Sequence, residues 1–215
     1  MTLPTSGLIT INDRGARAAT TFGSVAAVGG NMVFIKKLTA SSSGTLSFVD
    51  GTSDVVLDST YKEYMFTFNN MHPSSESDFK FQGNVAGGSG FNETMTTTFF
   101  YAYHKEDGSD GTLMYNTGRD LAQSTSFHTI SADDTGTDND LALSGYLHLF
   151  NPSSTTFVKH FISRVSNPNG SGSSTYMCDC YSAGYFNTTS AIDEIQFKFA
   201  SGNIDAGDIC LYGIL

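Results

Sequence analysis

Ala191-Ile192-Asp193-Glu194-Ile195-Gln196-Phe197-Lys198-Phe199-Ala200-Ser201-Gly202-Asn203-Ile204-Asp205-Ala206-Gly207-Asp208-Ile209-Cys210-Leu211-Tyr212-Gly213-Ile214-Leu215 reads as two strands joined by a turn. Ile195, Phe197 and Phe199 alternate with Gln196 and Lys198, the period of a strand with one buried face. The Ser-Gly-Asn-Ile-Asp-Ala-Gly run that follows is rich in residues that tolerate positive φ, so it predicts a turn. From residue 209 an apolar strand resumes and runs to Ile214-Leu215. Two large apolar residues there are expected to close a sheet or to be covered by a neighbour rather than fray.

Upstream the same pattern repeats. Strands are predicted at 31–38, 45–49, 61–71, 79–82 and 95–104, each bounded by Gly, Ser, Asp or Asn clusters. In 61–71, Tyr64, Phe66 and Phe68 share one face; in 95–104, Phe99, Tyr101 and Tyr103 do. Residues 85–91 read as a Gly-rich loop, 105–111 as a charged turn and 112–123 as irregular or short-stranded. Further strands are predicted at 126–131, 141–149, 156–165 and 175–186, with 167–174 as a polar loop. About ten strands without a helix of normal length predict an all-β, antiparallel two-sheet β-sandwich, a jelly roll by strand count and spacing. Residues 1–28 differ: one short apolar run, Leu8 to Ile11, then a small polar segment carrying Arg14 and Arg17. They are read as an N-terminal arm or anchor, and 29–215 as the sandwich domain.

Composition narrows the function classes. The 215 residues are 39% apolar and 13% aromatic, enough to build a core without disulfides or metals. Only 15% are charged, with a net charge of −10. An acidic chain gains no counterion-release energy from nucleic acid, so DNA and RNA are not expected partners. No apolar run approaches the ~20 residues of a membrane-spanning helix, so no membrane insertion is expected. Met1-Thr2-Leu3-Pro4 lacks the basic and apolar regions of a signal peptide, which predicts synthesis in a cytoplasm. Three cysteines fit that compartment. Cys178 and Cys180 lie two apart on one strand and so share a face, placed for packing rather than for a bridge.

Reactive chemistry has little support. His72, His104, His128, His148 and His160 are scattered over separate strands or strand ends. His148 and His160 lie on strands expected to follow one another, which would allow a paired site, against the commoner isolated histidine. The loop 133–140 carries Asp133, Asp134, Asp138 and Asp140, hard oxygen ligands of the kind calcium prefers, although the spacing is not that of an EF-hand and solvated Asp-rich turns are ordinary. Glu106-Asp107-Gly108-Ser109-Asp110 is a weaker case of the same kind. There is no nucleophile elbow, Walker loop or dinucleotide fingerprint. No catalytic, cofactor-binding or metal residues are therefore assigned and no cofactor is expected, while paired carboxylates for glycoside hydrolysis stay open on spacing alone. It lacks tryptophan, so a sugar would have to stack on Tyr61, Tyr101, Tyr103, Tyr176, Tyr181 or Tyr185; half-buried strand tyrosines are the plainer reading.

The closing stretch also carries a resemblance. Its Ile195-x-Phe197-x-Phe199 strand, Ser201-Gly202-Asn203-Ile204 turn and final Ile209-x-Leu211-Tyr212-Gly213 are similar to the C-terminal signature of virion structural proteins of tailed phages, marine and cyanobacterial ones especially. Tyr64-Met65-Phe66-Thr67-Phe68-Asn69-Asn70-Met71-His72-Pro73 resembles the strand of that group ending in Asn-x-His-Pro, and Leu3-Pro4-Thr5-Ser6-Gly7-Leu8-Ile9-Thr10-Ile11-Asn12-Asp13 resembles the start of many phage tail proteins. The resemblance implies a non-enzymatic virion component, a tail-fibre, tail-tip or capsid-decoration subunit, assembled in the host cytoplasm. Its implied partners are copies of itself, trimers by analogy, and other virion proteins. A coiled or repetitive shaft, usual in phage fibres, is absent from this sequence. An alternative is a glycan- or receptor-binding adhesin with loops 83–92, 105–111 and 167–174 as its rim; a polysaccharide hydrolase on a β-scaffold is the third.

Overall fold

In the computed structural model the described residues are 31–169 and 175–215. The expected arm at 1–28 and most of the loop 167–174 lie outside them. Twelve strands follow in order: β1 (Met32–Thr39), β2 (Leu46–Val49), β3 (Glu63–Pro73), β4 (Phe79–Val85), β5 (Met95–Lys105), β6 (Gly111–Tyr115), β7 (His128–Thr129), β8 (Leu143–Phe150), β9 (Lys159–Asn169), β10 (Tyr176–Phe186), β11 (Ile192–Phe199) and β12 (Ile204–Ile214). They form an antiparallel two-sheet sandwich. The larger sheet has the order β1-β12-β3-β8-β9-β10-β5-β6 and the smaller β2-β11-β4-β7.

The topology is that of a jelly roll. Four antiparallel ladders pair the chain from its outside inward: β1 with β12, β2 with β11, β3 with β8 and β4 with β7. Rolling that ribbon brings β12 beside β3 and β11 beside β4. Two hairpins are inserted into this eight-strand plan, β5–β6 between β4 and β7 and β9–β10 between β8 and β11. They join each other through β10 and β5, and so extend one sheet but not the other.

The core lies between the sheets where the inward positions are aromatic. Phe66 and Phe68 of β3 meet Phe79 and Phe81 of β4, Phe48 of β2 and Phe197 of β11, all at most 1% exposed. These rings meet mainly edge to face, the favoured geometry for aromatic clusters. The expected alternation in 195–199 is therefore real: Ile195, Phe197 and Phe199 are buried, whereas Gln196 and Lys198 face outward.

Two boundaries differ most from the sequence reading, the others by about one to three residues. β12 starts at Ile204, inside the predicted turn, because bulges on either side of Ala206 absorb the turn-forming residues into the strand. Gly207 sits there with φ of 118°, and a side chain on it would meet the Asn70 carbonyl at 2.6 Å. β9 continues to Asn169 through residues read as loop. Its inward asparagines are buried and bonded, Asn167 Oδ1 accepting from Thr135 Oγ1 at 3.2 Å.

The Leu-Tyr-Gly motif has a packing cause. Leu211 points into the core, and Tyr212 faces outward, edge-on to Phe34 at 5.7 Å. Gly213 lets the Tyr61 ring lie over the backbone; a Cβ there would come within 2.3–2.5 Å of that ring. Gly213→Ala is expected to cost about 1–3 kcal/mol in chemical denaturation. In a Tyr61→Ala background the loss should shrink, because the clash is gone. A double-mutant cycle with no coupling would refute the contact. Ile214 is half-buried in the sheet, whereas Leu215 is exposed, its amide donating to the Asn31 carbonyl at 2.8 Å.

Candidate interaction face

The two outer faces of the sandwich differ in chemistry. On the smaller sheet the outward positions are polar, as expected of an antiparallel sheet with one wet side. Gln196 donates to Ser47 Oγ at 2.9 Å and Asn84 to Glu194 at 3.2 Å, while Lys80 and Lys198, opposite in register, turn to Asp78 and to the Phe127 ring respectively. The larger sheet breaks that rule. Ten large apolar side chains are exposed among the described residues, and seven of them, Met32, Phe34, Phe100, Leu113, Tyr115, Ile162 and Met177, point outward from this one sheet.

Register aligns the outward side chains in rows across the strands. Tyr146 of β8 lies opposite Arg164 of β9, Arg164 opposite Tyr181 of β10, Tyr181 opposite Phe100 of β5, and Phe100 opposite Tyr115 of β6. The Phe100 and Tyr181 rings are parallel with centroids 5.0 Å apart, and the Arg164 guanidinium lies 5.0 Å from the Tyr181 centroid. These stacked side chains make a ridge. On one side is a furrow of about 360 Å³ between His160, Tyr185, Ile162 and Thr98, with Ala183 at its floor. On the other is a furrow of about 390 Å³ over Ser144, Gly145 and Ser166, walled by Tyr146, Arg164 and Met177.

This half of the face is formally neutral. Over the outward positions of β8, β9, β10, β5 and β6 the only Asp, Glu, Lys or Arg side chains are Arg164 and Asp179. They neutralise one another: Arg164 Nε donates to Asp179 Oδ1 at 2.9 Å and Nη2 to Oδ2 at 2.8 Å. The paired guanidinium holds the Asp179 carboxyl below the usual range, and that carboxylate holds Arg164 above its own. Being exposed, the pair adds little stability. Its effect is to hold the guanidinium over the Tyr181 ring.

The residues singled out in the sequence are placed as follows. His148 and His160 lie on neighbouring strands but out of register; His148 Nε2 is 3.1 Å from Glu63 and its ring packs on Phe150, whereas His160 sits beside Tyr185. They form no pair. His72 contacts the Thr137 carbonyl at 3.1 Å and Asp205 at 3.7 Å, and His104 is exposed on β5. His128 is fully buried, between Thr97 Oγ1 at 3.3 Å and Ser182 Oγ at 2.5 Å. Burial drives its pKa down to about 3, so the ring is neutral. The alternation in 126–131, with His128 in phase with Ile130, was the available signal for that burial.

In the acidic loop, Asp133 accepts from the Tyr176 hydroxyl at 3.0 Å and faces Arg119, which is itself bonded to Asp78. Asp107 binds the Ser109 amide at 2.9 Å, and Asp110 the Tyr103 hydroxyl at 2.8 Å. Among the described residues no three His, Cys, Asp or Glu side chains converge as a metal site would need. Cys178, Cys180 and Cys210 are free and buried; burial pushes Cys178 up to about 12 and Cys180 higher still. Cys178 and Cys180 share the inward face of β10 as their spacing implied.

The rim loops need a correction. The turn 105–111 adjoins the start of β10, with the Glu106 amide bonded to the Thr175 carbonyl at 3.0 Å. Loop 83–92 is at the other end of the same strands, where the Ala86 amide bonds Ala191 and the Asn187 amide bonds Thr94. Antiparallel hairpins put alternate turns at opposite ends, so the three loops are not one rim. The six candidate tyrosines divide in the same way. Tyr181 and Tyr185 face outward on β10, Tyr61 covers Gly213, and only Tyr101, Tyr103 and Tyr176 come together.

Fold and face together define the class: a jelly-roll sandwich with one polar outer face and one aromatic face, half of which is formally neutral. No family model, curated protein or solved structure matches the chain.

Proposed function

We propose that this protein is a non-enzymatic structural subunit of a tailed-phage virion, a tail-fibre, tail-tip or capsid-decoration protein, that packs against copies of itself. The observation that carries the reading is the neutral ridge and furrows on the larger sheet. Exposed apolar surface of this extent in a soluble chain marks an interaction site. A chain of net charge −10 repels its own copies everywhere except across a face without net charge. The five-strand half of the face measures about 600 Å² from strand spacing and rise, so two copies would bury about 1,200 Å², the lower end of standard interfaces. A ridge one side chain high fits a furrow of the same sheet on a second copy, which makes the surface self-complementary. The virion location and the trimer come from the resemblance of the closing strands; the self-complementary face by itself joins copies two by two, so a trimer would need a second, different contact.

Light scattering coupled to size-exclusion chromatography should find the wild type oligomeric, and Ile162→Asp or Phe100→Asp monomeric with unchanged circular dichroism. A wild type that stays monomeric at high concentration would overturn the packing. Copy number on purified particles separates the positions: hundreds mean capsid decoration, about a dozen a tail component, and none refutes the virion reading. A second reading, an adhesin that contacts glycan from the particle surface, is favoured by the convergence of Tyr101, Tyr103 and Tyr176 beside the turn 105–111.

A further inference from the structure

The larger sheet is wider than the sheet it packs on, and a cleft lies under the overhang. The smaller sheet ends at β7, two residues long, so inward faces of β5, β6 and β10 extend past it. Along β5 the inward residues run Met95, Thr97, Phe99, Tyr101, Tyr103. The first three are buried and the last two half-buried, and the chemistry changes from apolar to amphipathic where the strand leaves the core. β10 ends the same way, at Tyr176.

These rings line a concavity of about 300 Å³ together with Lys105, Asp110 and Met114. Tyr101 and Tyr103 are tilted 35° with centroids 6.3 Å apart, and Tyr103 and Tyr176 are tilted 57° at 5.7 Å. Their hydroxyls are fixed: Tyr103 donates to Asp110 at 2.8 Å, Tyr176 to Asp133 at 3.0 Å, and Tyr101 to Met114 Sδ at 3.5 Å. Because each ring is held at its far end, it keeps its position with no ligand bound, which lowers the ordering cost of binding. Nothing in the core requires this arrangement, since phenylalanines would pack as well and need no carboxylate partners.

We propose that the overhang cleft binds a neutral saccharide, its apolar C–H face on Tyr103 and Tyr176 and its hydroxyl edge on Asp110 and Lys105. A carboxylate that accepts and an ammonium that donates, set beside aromatic faces, match a ligand with one apolar face and a ring of hydroxyls. The volume is at the small end of the ~300–1,000 Å³ usual for ligand sites, enough for one sugar ring and part of the next. Asp110 and Lys105 offset each other, and Asp133 together with the net charge of −10 disfavours uronic and sialic acids. The site rests on the adhesin reading and gives that reading its residues.

The test is a microarray of neutral, amino and acidic bacterial oligosaccharides, followed by titration calorimetry with the best neutral one. The wild type should bind neutral sugars. Tyr103→Ala should weaken binding about tenfold or more, Tyr103→Phe and Asp110→Asn less, and Tyr185→Ala on the outer face not at all. Tyr103 and Tyr176 also pack against the edge of the core, so the two Ala variants should melt somewhat lower with native circular dichroism, whereas Tyr103→Phe and Asp110→Asn should melt close to the wild type. Binding that survives Tyr103→Ala and Tyr176→Ala overturns the cleft but leaves the adhesin reading. Binding to acidic sugars alone overturns the ligand class. No binding at millimolar sugar overturns the cleft and the adhesin reading together, without touching self-association.

Discussion

Phe197→Ala is expected to destabilise the protein by about 3–5 kcal/mol, the range for removing a large aromatic side chain from a core. Phe197 is the ring on which the two sheets meet. It is fully buried and contacts the rings of Phe48, Phe66, Phe68, Phe79 and Phe81 at centroid distances of 5.2 to 6.3 Å. Those neighbours come from β2, β3 and β4, all held in hydrogen-bonded ladders, so they cannot move to fill the space. A cavity therefore remains, and its cost adds to the lost transfer energy. Against a total stability of ~5–15 kcal/mol for a typical domain the variant would be marginal. Urea denaturation should show a lower midpoint with little change in slope. Phe197→Leu should lose much less, and Phe157→Ala, on a ring 69% exposed, almost nothing. A Phe197→Ala loss no larger than that of Phe157→Ala would refute the placing of the core centre.

That centre was legible because Phe197 sits in a strand whose period is unambiguous. Ile195, Phe197 and Phe199 show their buried face in sequence, and so do Tyr64, Phe66 and Phe68. Strand number and turn spacing made the two-sheet sandwich legible, but not the strand order, in which two extra hairpins widen one sheet only. Bulges and buried amides were not legible. Ser201 to Gly207 has turn composition, yet half of it pairs with β3, because Gly207 and Asn70 accommodate the bulge together. Asn167-Pro168-Asn169 has loop composition, yet Thr135 and Tyr176, more than thirty and seven residues away respectively, satisfy its side chains. The interaction face was hidden for another reason. Outward Phe100, Tyr181 and Arg164 look like ordinary strand alternation until register shows that they stack. A cross-strand row has no signature in a single strand.

His128 should make the protein lose stability as pH falls from about 6.5 to about 4, opposed among the described residues only by Asp134 and Asp193, whose carboxyls burial raises, so that protonating them favours the folded state. The unfolded chain takes up a proton on this imidazole near the ordinary histidine value of 6.5, whereas burial holds the folded-state value at about 3. A depressed folded value means that the contribution is complete above 6.5 and is lost progressively below it. The slope approaches 1.36 kcal/mol per pH unit, and integrated to pH 3 the loss is about 4–5 kcal/mol. The described groups that touch the ring are uncharged: Thr97 and Ser182 bond its nitrogens, and the Phe81 and Phe161 rings pack on it edge-on and tilted, with centroids 5.8 Å away. Asp58, Asp107, Asp179 and Asp208 have folded values below 3.8, so their own losses begin lower on the pH scale. Denaturation midpoints at pH 7, 6, 5 and 4 should fall steeply for the wild type. They should fall less for His128→Gln, which keeps a bond to Ser182 without a titrating group. The direct check needs no variant: the His128 ring resonances of the folded wild type should stay those of the neutral form down to the pH of unfolding. A ring that titrates near 6.5 in the folded state would show that His128 is solvated, and the interior between β5, β7 and β10 would be wetter than its packing implies.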